Sequence, residues 1–461
     1  MTYPMKSMMI AVMALVSVLL VARAEAAVTI QEVTSPGGIT AWLVEEHALP
    51  LIVLDASWSG GTLQDPEGKE GLAYMMSALL DEGAGDLDSQ SFQSRLEELA
   101  VELRFRASPD NLALSFKTLT QNQETAFGLL RLALSEPRFD EEAVERIRRQ
   151  LLVAITRDME SPDRMAAEAW YHSALPGHAY TRPSKGTLES VAALTRTDLA
   201  AHQRNLMVRQ NLSITVVGDI DAESLKTLLD QTFGSLAADS QLPEIATASV
   251  VPTAKLEIIQ REMPQSIVLF GHEGIARDDE DFIPAYVMNY VLGGGGFSSR
   301  LMTEVREKRG LAYSVASYFY PLTHASLFIG QVATENTRVA ESIEVIRAEL
   351  VRLAQEGVTD EELQDTKTYL TGSYPLRFDT NEKIASQLVA IQEEGLGIDY
   401  ITKRNSLIEA VTADDVRRVA ARLLRPDNLI ITIVGQPEGL DATEGPDATE
   451  SLDAVEATSE D

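Results

Sequence analysis

The hydrophobic pattern of the first half of the chain predicts short strands followed by helices. Alternation of apolar and polar residues with period two is typical of half-buried strands, whereas apolar residues three or four positions apart are typical of helices. Strands are predicted at 28–33, 39–45, 51–58, 101–107 and 111–119. Helices are predicted at 70–82, 88–99, 122–135 and 140–160.

The second half shows the same order of elements. Its predicted strands are 255–260, 266–274 and 313–333, and its predicted helices are 280–292, 298–309, 336–356 and 359–372. NLSITVVG at 211–218 and NLIITIVG at 428–435 are identical at six of eight positions. Ala73-Tyr74 likewise matches Ala285-Tyr286. A repeat of this length indicates two homologous domains rather than a solenoid of short repeats.

The predicted fold class is α+β, with two homologous domains that each contain an antiparallel sheet with helices packed mainly on one face. The first domain is predicted at 27–236 and the second at 255–436. Residues 237–254 have the composition of a linker, with small residues, prolines and no hydrophobic period.

Both ends of the sequence are predicted to lie outside these domains. Residues 1–26 have the features of a secretory signal peptide, since Lys6 precedes an apolar run and small residues surround a cleavage site near Ala26. This predicts a periplasmic protein; the alternative, an uncleaved membrane anchor, requires a longer apolar run. Residues 437–461 carry regularly spaced acidic residues and no basic residue, which predicts a solvated, disordered tail.

Composition argues against several kinds of function. A formal net charge of −31 disfavours binding to nucleic acid or to anionic membrane surfaces. The absence of cysteine removes thiol catalysis and cysteine-based metal sites. No histidine has a second histidine three or four positions later, which favours scattered structural or surface histidines over a metal site. The six histidines are His47, His172, His178, His202, His272 and His324.

One segment, residues 293–315 (GGGGFSSRLMTEVREKRGLAYSV), joins a glycine run to a polar helix and a strand-like end. Arg306 and Tyr313 within it are seven positions apart. An arginine and a phenol can donate hydrogen bonds to a carbonyl oxygen and stabilise the oxyanion that develops from it. From the residues alone, the favoured interpretation is that Arg306 is one charge on an exposed helix and that Tyr313 is packed in a sheet.

This segment resembles the second-half signature of the insulinase/pitrilysin-type metallopeptidases, which include the mitochondrial processing peptidases and their bacterial relatives. The resemblance is carried by S-R-L at 299–301, R-E at 306–307 and G-L-A-Y at 310–313. It extends over roughly residues 28–436, as two homologous halves in the family's order. It implies that the two domains form half of a clam-shell chamber.

The same family carries an inverted zinc motif, H-x-x-E-H, on an early helix of its first half, and a further glutamate ligand on a later helix. G-L-A at 71–73 provides the sequence context that precedes this motif. The motif positions then fall at Tyr74, Ser77 and Ala78, and the further ligand position at Ala154. These side chains lack the imidazole or carboxylate that zinc requires, so the resemblance implies a chain without its own zinc.

The resemblance also assigns roles within the segment 293–315. Arg306 and Tyr313 are expected to be catalytic toward a peptide held near zinc. The glycine run (Gly293, Gly294, Gly295 and Gly296) resembles the substrate-contacting loop of the family's non-catalytic subunits. The alternative of a phosphate-binding loop lacks the Gly-Lys-Ser/Thr ending and the preceding parallel strand. Substrate is further expected to add as a strand to a sheet edge in the first half, formed by 111–119 or 51–58.

These observations predict a periplasmic subunit that binds an extended peptide and has no cofactor of its own. It is expected to form a heterodimer with a homologous, zinc-bearing H-x-x-E-H subunit and to contribute Arg306 and Tyr313 to peptide hydrolysis there. Two alternatives stay open. One is a catalytically inactive structural or peptide-binding chaperone homologue, and the other is a self-sufficient peptidase with an unrecognised site.

Overall fold

Two sheets organise residues 29–440, the part of the chain that the computed structural model describes. The predicted signal peptide and the tail from residue 441 onward lie outside the described residues. The strands of the first sheet are β1 (Gln31–Thr34), β2 (Thr40–Glu45), β3 (Leu51–Ser59), β4 (Glu102–Ala107), β5 (Asn111–Leu119) and β6 (Leu212–Gly218). Those of the second are β7 (Lys255–Gln260), β8 (Gln265–Glu273), β9 (Ala312–Pro321), β10 (Ser326–Glu335) and β11 (Ile430–Gly435).

Helices cover both sheets. Those before the second sheet are α1 (Leu72–Ser77), α2 (Ser89–Glu98), α3 (Gln123–Ser135), α4 (Glu141–Met159), α5 (Pro162–Ala174), α6 (Leu188–Ala193), α7 (Arg196–Leu206) and α8 (Ala222–Phe233). Those after it begins are α9 (Phe282–Asn289), α10 (Val339–Glu356), α11 (Asp360–Gly372), α12 (Asn381–Glu393), α13 (Tyr400–Ala410) and α14 (Ala413–Leu423), with π-helical turns at Tyr290–Gly294 and Met302–Glu307. None of the helices described between residues 29 and 440 is long and apolar enough to cross a bilayer.

Apart from the edge strand β1, which has no counterpart in the second sheet, the two sheets share one strand order, which confirms the predicted α+β fold built from a repeat. The first runs β1-β2-β6-β3-β5-β4 and the second β7-β11-β8-β10-β9, so β11 takes the place of β6 and β9 that of β4. The pairings are antiparallel apart from one parallel pair in each sheet, β2 with β6 and β7 with β11. The two matching octapeptides therefore form equivalent strands. The predicted single strand 313–333 is a hairpin of β9 and β10.

A glycine ends each of these equivalent strands for the same steric reason. Gly218 and Gly435 have φ of 146° and 151°. A Cβ on Gly218 would lie 2.2 Å from the Leu51 carbonyl oxygen, and one on Gly435 would lie 2.2 Å from Ser266 Oγ. Both distances are far below van der Waals contact, so only glycine allows the strand to approach its neighbour.

The halves exchange one helix each. Helix α5 of the first half packs on β11 and β8 of the second sheet, and α12 of the second half packs on β6 and β3 of the first. Trp170 on α5 is fully buried and donates Nε1–H to the Ile430 carbonyl at 3.1 Å. Gln392 on α12 donates to the Ile214 carbonyl at 3.0 Å. Each sheet thus has its second face covered by the other half, and most of β3 is buried as a result.

The predicted sheet edge in the first half is wrong. Residues 51–58 lie in β3 and 111–119 form β5, and both strands are internal. The edges are β1 and β4 in the first sheet, and β7 and β9 in the second. The order differs because β6, from the end of the first half, inserts between β2 and β3, and β4 pairs with the outer side of β5.

Candidate functional site

Helix α1 carries the positions of the inverted zinc motif, and its start is fixed by Asp65. The Asp65 carboxylate accepts hydrogen bonds from the backbone N–H groups of Gly71 and Ala73 at 2.9 and 2.8 Å. Gly71 has φ of 89°, and a Cβ there would lie 2.4 Å from the Lys185 carbonyl oxygen. The helix is shorter than the predicted 70–82 because it ends at Ser77.

The motif side chains belong to the protein core and not to a metal site. Tyr74 and Ala78 pack against the hydrophobic core of the first half, and buried Ser77 donates its hydroxyl to the Tyr74 carbonyl at 2.8 Å. Ala154 lies half-buried on α4, which packs against α1. Among the described residues no group of three or more His, Cys, Asp or Glu could hold a metal ion. The donor set at these positions does not fit zinc.

A cavity of about 740 Å³ adjoins these positions. Tyr74 lines it from α1, Met159 from α4 and Tyr171 from α5, while Tyr320 and Leu322 line it from the second half. Both halves therefore contribute walls. Lys185 and Asp158, which both line the cavity, form an ion pair at 2.6 Å.

Tyr180 closes one end of this cavity and joins the two halves. Its hydroxyl donates to Asp110 Oδ1 at 2.6 Å and accepts the backbone N–H of His324 at 3.1 Å. Burial raises the pKa of Tyr180 and that of Tyr171 above the usual value of a phenol. Both phenols are therefore neutral hydrogen-bond donors at physiological pH.

A buried acid–base pair lies behind α1. His202 Nε2 is 3.6 Å from Asp65 Oδ1, and both side chains are almost fully buried. Burial raises the pKa of Asp65 to about 7, and burial lowers the pKa of His202 to about 4. The pair supports the helix start and does not line the cavity.

Arg306 and Tyr313 lie together in the second half, as the sequence predicts for the segment, and a third side chain joins them. The Arg306 guanidinium carbon is 4.6 Å from the centroid of the Tyr313 ring and 4.7 Å from that of Phe297. Tyr313 is 77% exposed and Phe297 is 67% exposed. The cation is therefore held between two rings at the surface, a contact that stabilises an exposed guanidinium by about 0.5–1 kcal/mol for each ring. None of the three lines the 740 Å³ cavity.

The neighbouring cations are neutralised, whereas Arg306 is not. Lys308 and Arg309 both bind Glu304, at 2.7 Å each, and Arg338 pairs with Glu335 at 3.4 Å. Within residues 29–440 the Arg306 guanidinium has no carboxylate within 4 Å and no hydrogen bond from its side chain. Its N–H donors are consequently free to bind a carbonyl or a carboxylate from outside the chain.

The rest of the segment serves as a rigid support. Arg300, of the S-R-L pattern, is buried and binds both carboxylate oxygens of Glu362 at 2.7 Å. Gly293 is also buried, in the π-helical turn, where a Cβ would lie 2.4 Å from Ser317 Oγ. The close packing against β9 is sufficient to explain why position 293 is a glycine, and no contact with substrate is needed to explain it. Gly294 and Gly296 are exposed beside Phe297.

Phe297 is the site residue that the sequence reasoning missed. The available signal was an aromatic residue directly after four glycines, where a loop tip would ordinarily be polar. Its contact with Arg306 depends on the turn at Gly296, which has φ of 59°. The structure thus brings Phe297, Arg306 and Tyr313 into one exposed cluster, named below the arginine–aromatic cluster.

The fold and the site define a two-domain, peptidase-type chain whose zinc-motif positions hold no zinc ligand. A family model described as "Insulinase (Peptidase family M16)" matches residues 58–187, and one described as "Peptidase M16 inactive domain" matches residues 193–370. The chain belongs to the insulinase, or M16, family of peptidases, as a non-catalytic, peptidase-like member.

Individual relatives agree with the family assignment. The "Non-peptidase homolog YmxG" of Helicobacter pylori is 27% identical, over 75% of this chain and 79% of that protein. A crystal structure of the "peptidase M16 inactive domain from Pseudomonas fluorescens" has a TM-score of 0.83 and 26% identity, covering 90% of this chain and 100% of that one. The "periplasmic protease PqqL from Escherichia coli" has a similar fold, with a TM-score of 0.78 and 18% identity, covering 89% of this chain and 46% of that one.

Proposed function

We propose that this chain is the non-zinc subunit of a periplasmic, two-chain peptidase. Its partner is a homologous subunit with H-x-x-E-H and zinc, and the two chains together bind an extended peptide. This chain presents the arginine–aromatic cluster to the peptide held at the partner's zinc. The periplasmic location rests on the predicted signal peptide at residues 1–26.

The observation that carries the proposal is the contrast between the two constellations. The positions Tyr74, Ser77, Ala78 and Ala154 supply no metal ligand and are absorbed into packing. Arg306, by contrast, has no anionic partner among the described residues and lies at the surface between two exposed rings. Large exposed aromatic side chains grouped around one cation form a surface patch of the kind that marks interaction sites.

The chemistry of the cluster suits a carbonyl on which negative charge develops. A guanidinium donates two hydrogen bonds in a fixed plane, and a phenol donates one more. In open water such contacts are weak, but they strengthen when a second chain covers the site and excludes water. Removal of one oxyanion donor from such a site typically lowers kcat by about 10²–10³.

The lengths of related chains support pairing. The part of PqqL that matches this chain is 46% of the PqqL chain, so the remaining part of that protein is longer than the matched part. A second chain of this fold would supply the corresponding length here. Because this chain has a formal net charge of −31, the surface of a stable partner should not be strongly acidic, since like charges across an interface repel each other.

The test is reconstitution with the homologous H-x-x-E-H protein of the same organism. Each chain alone should leave a quenched-fluorescence peptide intact, and an equimolar mixture should cleave it and elute as a heterodimer in size-exclusion chromatography. In the mixture, Arg306→Ala should lower kcat by about 10²-fold, with a smaller loss for Tyr313→Phe.

Arg149→Ala is the matched control. Arg149 is exposed on α4 and, like Arg306, has no ion pair among the described residues, but it lies in the other half. It should leave kcat unchanged. Zinc-dependent cleavage by the purified chain alone, or equal kcat for Arg306→Ala and Arg149→Ala in the mixture, would contradict the proposal.

A second candidate function is a catalytically inactive, peptide-binding or structural homologue. It is favoured by the description of the Helicobacter pylori relative as a non-peptidase homologue and by the cavity that adjoins the zinc-motif positions. In that case Arg306→Ala should alter neither assembly nor any cleavage measured in the mixture.

A further inference from the structure

The second half contains a cleft at the repeat position of the first-half cavity. The cleft has a volume of about 480 Å³ and lies between α9, the following π-helical turn, β9 and α11. Tyr286, which lines it, is the repeat counterpart of Tyr74, which lines the 740 Å³ cavity. Each half thus keeps a cavity at the same helix, but the side chains around the two differ in charge.

Arginines without acidic partners line this cleft. Arg404 is only 6% exposed and Arg377 is exposed, and within residues 29–440 neither has a carboxylate within 4 Å. No Asp or Glu occurs among the cleft residues. A buried cation without a counter-ion is unfavourable, since the charge loses hydration and gains no opposite charge. The first-half cavity differs because it has carboxylates as well as cations: Asp158, Glu168 and Glu189 line it together with Arg164, Arg182 and Lys185.

Local structure uses only part of the Arg404 guanidinium. Nη1 donates to the Leu370 carbonyl at 3.1 Å and to Asn405 Oδ1 at 3.2 Å, which caps the end of α11. The rings of Tyr374 and Tyr286 lie 4.1 and 5.8 Å from the guanidinium carbon. Nε and Nη2 have no hydrogen-bond partner among the described residues. Capping of α11 therefore uses only Nη1, and Nε and Nη2 remain available to donate hydrogen bonds to a ligand in the cleft.

The opposite wall of the cleft is aromatic and partly exposed. The rings of Tyr290 and Tyr369 stack with centroids 5.3 Å apart. Tyr369 is 58% exposed, Tyr318 is 56% exposed and Leu376 is 69% exposed. A side chain that entered the cleft beside the arginines would cover this apolar surface.

We propose that this cleft is a peptide-binding subsite for a carboxylate next to a large apolar side chain. Arg404 and Arg377 bind the carboxylate, and the wall formed by Tyr318, Tyr369 and Leu376 packs on the apolar side chain. The proposal rests on the proposed function only in that the ligand is a peptide. The shared chemistry is the carboxylate, whether it ends the peptide chain or belongs to an internal acidic residue.

Fluorescence anisotropy with the full chain alone tests the subsite. The probe is an N-terminally labelled dodecapeptide of Ala, Ser and Gly that ends in Leu-Phe with a free carboxylate. The same peptide with a C-terminal amide should bind about tenfold more weakly, which is the usual cost of losing a charge-assisted hydrogen bond. An amidated peptide with glutamate beside the phenylalanine separates the two sources of carboxylate, and recovery of affinity supports the internal source.

Variants assign the effect to the cleft. Arg377→Gln should reduce the acid-to-amide ratio by several-fold, and Arg404→Gln should bring it close to one. Because Arg404→Gln also removes the cap of α11, Arg404→Lys provides a second variant that keeps a donor to Leu370 but loses the fork. It should lower the ratio while circular dichroism stays as in the parent. Arg149→Gln is the matched control and should keep the parent ratio.

Equal binding of the acid, the amide and the amidated glutamate peptides by the parent, or a parent-like ratio in a folded Arg404 variant, would overturn the proposal. The assay uses neither the zinc partner nor hydrolysis. Its failure would therefore leave the role proposed for the arginine–aromatic cluster untouched, and failed reconstitution would leave the subsite standing.

Discussion

The two halves of this molecule have the same strand order but opposite site chemistry. In the first half, Tyr74, Ser77 and Ala78 occupy the metal-motif positions and are integrated into the core. In the second half, Arg306 and Tyr313 stay at the surface with unused hydrogen-bonding groups. A shared topology therefore does not fix the function, which depends on the identity of a few side chains in each half.

The exchanged helices show what the halves have in common. Trp170 on α5 donates a hydrogen bond to β11, and Gln392 on α12 donates one to β6, the equivalent internal strand of the other sheet. This reciprocity holds the halves together regardless of chemistry. The scaffold is therefore alike in the two halves, whereas the side chains at the candidate sites differ, and each of these two features can be tested separately.

The largest expected effect follows from restoring the first-half chemistry. The quadruple variant Tyr74→His, Ser77→Glu, Ala78→His and Ala154→Glu places two imidazoles one helical turn apart, with a carboxylate from the adjacent α4. It should bind one zinc ion per chain with Kd below about 1 µM, as measured by metal analysis after dialysis. The parent should retain none.

The triple variant that keeps Ala154 should bind zinc more weakly, because it lacks one ligand. If the quadruple variant folds and remains zinc-free, the first half has lost the backbone geometry as well as the side chains. The comparison would then have to be revised.

The next effect concerns the symmetric scaffold. Trp170→Ala should lower the free energy of unfolding by about 3–5 kcal/mol, because it removes a fully buried indole and its hydrogen bond. Urea unfolding should remain one transition, seen alike by circular dichroism and by the fluorescence of Trp42 and Trp58 in the first half.

Gln392→Ala is the smaller counterpart and should cost about 1 kcal/mol, since it removes hydrogen bonds from a half-buried side chain. Two separate transitions in Trp170→Ala, with first-half fluorescence unchanged in midpoint, would show that the exchanged helices do not couple the halves.

A pH-dependent effect tests the buried pair behind α1. The pKa of Asp65 is raised to about 7 in the folded protein, so this group alone makes stability fall as pH rises from about 4 to about 7. The pKa of His202 is lowered to about 4, so that group makes stability rise with pH between about 4 and 6.5. The two slopes cancel, because the pair binds about one proton in both states over this window.

In the variant His202→Gln, the pH dependence of stability that is due to Asp65 should no longer be cancelled. The free energy of unfolding should fall relative to the parent by up to about 1.4 kcal/mol for each pH unit between about pH 4.5 and 6.5, as measured by urea titration. The double variant with Asp65→Asn should lose this slope again. Parallel pH profiles for the parent and His202→Gln would contradict the assignment of a raised pKa to Asp65.

The smallest effect concerns Phe297. Phe297→Ala removes one of the two rings beside Arg306, a contact of about 0.5–1 kcal/mol, so kcat of the reconstituted pair should fall about two- to fivefold. The melting temperature of the chain should fall by no more than about 2 °C, because the ring is 67% exposed and the lost contact is small. A loss as large as that of Arg306→Ala would mean that Phe297 contacts the peptide itself.

Much of the fold could be predicted from the sequence because its signals are local. The octapeptides at 211–218 and 428–435 identified the repeat, and they form β6 and β11 at equivalent places. The edge strands could not be predicted in the same way. Pairing of β6 between β2 and β3 joins residues more than 150 positions apart, and no local pattern encodes it.

The site shows the same division. Arg306 and Tyr313 were found because their spacing belongs to a recognisable motif. The third member, Phe297, was not, since its contact depends on the backbone turn at Gly296. Asp65 and His202 come from distant parts of the sequence and meet in the buried interior. The burial of a single charged residue cannot be predicted from its neighbours in the sequence.

Photochemical cross-linking tests the divided active site most directly. A photoreactive phenylalanine analogue replaces Tyr313, and the partner carries Glu→Gln in its H-x-x-E-H motif so that a labelled peptide binds without being cleaved. The label should transfer to this chain only when the partner is present, and excess unlabelled peptide should abolish the transfer. Transfer of equal yield without the partner, or none in the assembled pair, would contradict a site shared between two chains.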